Sequence, residues 1–121
     1  MGIILTKPTQ TLSGIPGTIL TGKAIPSTIT EVIDSVSAVY NYGVKWIVTT
    51  IDDIDQNIQQ YEVNVIKKFD NTTPYNIGPI NGDVINHIVN VDLLGDDITL
   101  LITNNESHNI LVNVIRIQTL I

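Results

Sequence analysis

The segment Ile110-Leu111-Val112-Asn113-Val114-Ile115-Arg116-Ile117 decides the fold class, because apolar residues occupy both of its parities. Ile110, Val112 and Val114 fall on one side of an extended chain, and Leu111, Ile115 and Ile117 on the other. A strand apolar on both faces is covered twice, as in the middle of a sandwich or beneath a partner subunit.

The same alternation runs back through the chain. Val44, Trp46 and Val48 alternate with Lys45, Ile47 and Thr49 in a strand that ends at Asp52-Asp53. Tyr61, Val63, Val65 and Phe69 form a second long strand, with Glu62, Asn64 and Lys68 on its other face. Residues 71–79 read as a loop with one short strand at most. Asn81-Gly82 has the composition of a type I′ hairpin turn, since both residues tolerate positive φ. Ile85, His87, Val89 and Val91 then alternate with Asn86, Asn90 and Asp92; Leu94-Gly95-Asp96-Asp97 turns the chain into a strand over 98–103, and 104–109 turns it into the last one. Strands at this spacing predict an all-β, antiparallel, jelly-roll-like β-sandwich. Its expected core is Trp46, Val48, Val63, Val65, Val89, Val91, Leu100, Ile102, Val112 and Val114.

The N-terminal part differs. Residues 1–26 hold Pro8, Pro16 and Pro26 with Gly14, Gly17 and Gly22, which excludes a helix or a central strand. They also carry Ile3, Ile4, Leu5, Leu12, Ile15, Ile19, Leu20 and Ile25, too apolar for a disordered tail. One reading is an extended assembly arm over 1–26 before a domain over 27–121; the other makes these residues edge strands and loops of the same domain. After it, Ile29, Val32, Ile33, Val36 and Val39 have helical spacing behind a capping-box pattern at Thr28–Glu31. The Ile, Val, Thr and Ser content favours a strand over 28–33 and a connection over 34–43, with a short helix as the alternative.

Composition sets the outer limits. The chain has 121 residues, enough for one ordinary core, and 0 cysteines, so neither disulfides nor thiolate metal sites enter. Its 6 basic and 12 acidic residues give a net charge of −6, which opposes nucleic-acid binding. Met1–Pro8 lacks a basic region and a long apolar run, so no signal, no membrane partner and cytoplasmic synthesis are expected.

Chemical motifs are weak. Asp53-Ile54-Asp55-Gln56-Asn57 opens like a calcium loop, but Ile58 stands where the loop needs Gly and Asn64 where it needs Glu. It reads as a solvated acidic turn. His87 and His108 lie in no metal or nucleophile motif, and His87 shares parity with apolar neighbours, as a structural histidine does. No catalytic residue, metal ligand or cofactor is expected, and the chain is not read as an enzyme. Trp46 with Tyr40, Tyr42, Tyr61 and Tyr75 could form a sugar platform, although a Trp inside an alternating strand is more often core.

Asp34-Ser35-Val36-Ser37-Ala38-Val39-Tyr40, Val44-Lys45-Trp46-Ile47-Val48-Thr49 and Tyr61-Glu62-Val63-Asn64-Val65-Ile66 together resemble a module of tailed-bacteriophage virion structural proteins. Tyr75-Asn76-Ile77-Gly78, Val89-Asn90-Val91-Asp92 before Gly95, residues 98–104 and Val112-Asn113-Val114-Ile115-Arg116 continue the likeness in order. The acidic 52–60 connection and the Pro/Gly segment depart from that pattern. The resemblance implies a non-enzymatic β-sandwich in the head, neck, tail or fibres of a particle: a capsid decoration, neck, tail or fibre protein located in the virion. It also implies a homo-oligomer, a trimer by preference, with other virion proteins as partners. A mean hydropathy of +0.24 with 15% charged residues fits a chain that hides apolar surface between subunits. The alternative is a carbohydrate-binding or adhesin sandwich that takes a surface glycan.

Overall fold

The computed structural model describes the backbone of residues 18–120 and the side chains of residues 22–119. Among the described residues every regular element is a strand: β1 (Thr18–Ile25), β2 (Thr30–Ser37), β3 (Asn41–Asp52), β4 (Asn57–Ile66), β5 (Tyr75–Ile77), β6 (Asn81–Gly82), β7 (His87–Leu94), β8 (Asp97–Asn104) and β9 (Ile110–Leu120). No helix there is long and apolar enough to cross a membrane.

The strands form two antiparallel sheets, and the fold is an all-β sandwich. The larger has the order β1-β9-β3-β4-β5, with β6 also paired to β4, and the smaller has the order β2-β8-β7. The long central strands follow from β-branched alternation. In β3, residues 44, 46, 48, 50 and 52 are buried while 45, 47, 49 and 51 are half-buried, as a pleated strand with one face on a core requires. Trp46, Val48, Val63, Leu100 and Ile102 are 0% exposed, Val112 and Val114 are 1%, and Val65 and Val91 are also buried. Val89 is partly buried and packs against this core from β7.

Residues 18–25, grouped with the arm from the sequence, are an edge strand. Thr18 pairs with Arg116 and Ile25 with Ile110, and Ile25 is fully buried in the core. The prolines permit this because Pro16 precedes the strand and Pro26 follows it, so none removes a ladder donor. The boundary at 26 therefore does not separate an arm from the domain. Ile3, Ile4, Leu5, Leu12 and Ile15 lie outside the described residues, as do the side chains of Ile19 and Leu20.

Four further expectations are corrected. The strand expected over 28–33 starts at Thr30 and runs on to Ser37 as β2. A register shift between Val32 and Asp34 breaks its alternation, which is why its apolar residues had helical spacing. Asn81-Gly82 is no hairpin turn: the pair forms β6, opposite Gln59 and Gln60. Gly82 has a φ of +92°, and a Cβ there would collide with the Ile58 carbonyl oxygen. The two-residue hairpin is instead Gly95-Asp96, closed by the Leu94–Asp97 pair, with Gly95 at a φ of +62°. The expected 52–60 connection shrinks to residues 53–56, since Asp52 pairs with Asn57 and Ile58 with Ile51. Phe69 lies beyond β4 and is 93% exposed.

Candidate functional site

Two places stand out: one rim of the sandwich and the outer face of the larger sheet. The rim begins with Asp52, the last inward-facing residue of β3 and only 1% exposed. Its Oδ1 accepts the N–H groups of Ile54 and Asp55, at 3.0 and 3.1 Å, and so folds the turn back over the strand end.

The loop between β8 and β9 arrives from the opposite sheet. Asn104, fully buried, donates through Nδ2 to the carbonyls of Ile25 and His108, both at 2.8 Å, and its Oδ1 accepts the Glu106 N–H at 2.8 Å. One amide thus fixes the loop, and His108 Nε2 lies 2.8 Å from Asp52 Oδ1 and 3.8 Å from Asp55 Oδ2. Glu106 Oε2 accepts the Asn86 N–H at 2.6 Å. Asp52, Asp55, Glu106 and His108 each place one potential ligand atom within 4.8 Å of the others. The bond to Asp52 raises the His108 pKa above its ordinary value, and the same bond is the main cause that lowers the Asp52 carboxyl. Ser107 Oγ is 3.5 Å from His108 Nδ1, at the limit of a hydrogen bond, so these residues make only a loose Ser-His-Asp line.

The calcium-like pattern at 53–57 pointed to this turn, but only Asp55 of it enters the cluster. The other three residues escaped notice because Asp52 and His108 lie 56 positions apart. Parity held a usable signal: Asp52 shares its side of β3 with Trp46 and Val48, and an inward carboxylate demands a partner.

His87 is half-buried and packs on Tyr61, with ring centroids 5.6 Å apart. Its Nδ1 lies 2.6 Å from the Ile85 carbonyl, which can only accept, so Nδ1 carries the proton and Nε2 accepts from the Tyr61 hydroxyl at 2.8 Å. Burial lowers the His87 pKa and raises that of Tyr61. Trp46 points inward, donating through Nε1 to Asp34 Oδ2 at 2.8 Å, and Tyr61 is also buried, whereas Tyr40, Tyr42 and Tyr75 are exposed. These aromatics do not assemble into one platform, and Trp46 offers no face to a sugar.

The outer face of the larger sheet carries two apolar rows. Leu111, Ile51 and Ile58 are consecutive register partners across β9, β3 and β4, and Ile115 pairs with Ile47. Between the rows lie Asn113, Thr49 and Gln60. Ile58 is 55% and Leu111 36% exposed. The last strand is thus covered once by its own domain, and its second apolar side faces outward.

No family model matches the sequence, and no curated protein matches it. Among solved structures, the tailspike protein of the Acinetobacter phage vB_ApiP_P1 is similar at 12% identity with a TM-score of 0.46, over 98% of this chain and 24% of that one. The chain therefore spans about a quarter of that protein's length. At this level the likeness assigns neither family nor function.

Proposed function

We propose that this chain is a non-enzymatic structural module of a tailed-phage particle, which associates with copies of itself and with neighbouring virion proteins through the outer face of β9, β3 and β4. The observation that carries this reading is the pair of outward-facing apolar rows, Leu111-Ile51-Ile58 and Ile115-Ile47, exposed at Ile58 and Leu111 and half-buried at Ile51, Ile47 and Ile115, on a sheet whose other side already holds the core. Antiparallel sheets that face water on one side normally alternate apolar inside with polar outside. The smaller sheet's outward positions mix polar Asn90 and Asp92 with apolar Ile88 and Leu101. An apolar second face is stable when another subunit removes it from water. The ordered motifs shared with virion modules support the kind of assembly, and a trimer is the preferred state.

His87 is held by Tyr61 and the Ile85 carbonyl within the sandwich, which supports a structural role for it. Immunogold labelling tests the reading: an antibody against the chain should decorate intact particles at regular positions. Recovery of the chain only as free protein, with unlabelled particles, would overturn it.

A further inference from the structure

The rim cluster has a property that the assembly reading does not use. We propose that Asp52, Asp55, Glu106 and His108 form a binding site for one divalent first-row transition-metal ion. Asp52 is 1% exposed, and its Oδ2 is buried with no hydrogen-bond partner, on the carboxylate whose Oδ1 meets His108. A carboxylate oxygen withdrawn from water without a donor is costly, and a cation is the ligand that satisfies it. The three carboxylates with a neutral imidazole place three negative charges within a few ångströms, and a dication offsets most of that repulsion.

The donor set selects the metal. Three oxygens and one imidazole nitrogen suit zinc, manganese or a neighbouring ion; calcium takes oxygen alone. Ions bound at about 2.0–2.2 Å hold their ligands on the order of 3 Å apart. His108 Nε2 already lies 2.8 Å from Asp52 Oδ1 and 3.8 Å from Asp55 Oδ2. Small rotations of Asp55, which is exposed, and of the half-buried Glu106 close the remainder. The surroundings also serve a metal site: the Asn86 N–H orients Glu106, and the N–H groups of Ile54 and Asp55 hold Asp52. Binding would clamp the β3–β4 turn to the loop that crosses between the sheets.

Titration calorimetry of the full chain with zinc, manganese and calcium chlorides tests the proposal. One zinc or manganese ion per chain should bind, calcium should bind about tenfold or more weakly, and chelation should reverse the accompanying rise in melting temperature. Asp55→Asn and Glu106→Gln lie at the accessible side of the cluster and should keep the far-ultraviolet spectrum while weakening binding by about tenfold or more each. Absence of saturable one-to-one binding, wild-type affinity in both variants, or a preference for calcium would each overturn it.

Discussion

Arg116 Nη1 donates to both carboxylate oxygens of Asp34, at 2.9 Å each, and so ties the last strand of the larger sheet to the first strand of the smaller one. Both side chains are at least nine-tenths buried, and Trp46 Nε1 donates to the same carboxylate. These three side chains form a polar knot between the two sheets. Removing one charged member takes a charge-assisted hydrogen-bond partner from the other, which stays buried. Asp34→Ala should destabilise the fold by roughly 3–5 kcal/mol, whereas the double change Asp34→Ala with Arg116→Met should cost less than the sum of the single changes. Urea unfolding of the four proteins measures both effects, and additive losses would contradict the coupling.

Trp46 separates packing from hydrogen bonding. Trp46→Ala opens a cavity at a site with no exposure and should cost roughly 3–5 kcal/mol. Trp46→Phe keeps an aromatic ring but takes the indole donor from Asp34, for a smaller loss of roughly 1–3 kcal/mol. Wild-type emission should be blue-shifted and poorly quenched by acrylamide; a solvent-quenched indole would contradict the placement.

His87 predicts an acid-side loss of stability. Its folded-state pKa lies below the ordinary 6.5 because burial disfavours the imidazolium. Between the two values the unfolded chain binds the proton and the folded chain does not. The stability from neutral His87 is therefore full above pH 6.5 and falls as pH drops through the folded-state value. His108 works in the opposite sense, being raised by Asp52, so comparison with His87→Gln isolates the contribution of His87. Thermal melts of both proteins in chelator should diverge above pH 6.5 and converge in acid; parallel profiles would contradict it.

Deleting residues 1–26 removes β1 and the buried Ile25, and it bares the edge of β9. Loss of the Ile25 side chain alone is worth roughly 2–5 kcal/mol, and an unprotected edge beside an apolar face invites aggregation. The truncated chain should unfold or aggregate under conditions in which the full chain is folded. A truncated protein with an unchanged melting temperature would restore the reading of these residues as an attached arm.

Much of the sandwich was legible because apolar inward positions recur at every second residue in β3, β4, β8 and β9, where Trp46, Val63, Leu100 and Val112 face one core. Sequence reasoning failed where register, rather than periodicity, decides. The bulge at Val32–Asp34 mimicked helical spacing, and Asn81-Gly82 had turn composition but met the β4 backbone instead. The rim cluster was invisible for a further reason: Asp52 and His108 are brought together by Asn104, whose three hydrogen bonds no local pattern announces.

The central claim is association through the outer face, and light scattering coupled to size exclusion tests it most directly. At micromolar concentration the wild-type chain should give a mass that is a multiple of 13.3 kDa, three chains by preference. Ile47→Lys and Ile115→Glu place charges of opposite sign on a cross-strand pair at the centre of that face, so each single variant should shift the mass toward one chain while its melting curve remains cooperative. A wild-type mass of 13.3 kDa, or oligomers that persist unchanged in both variants, would contradict the account.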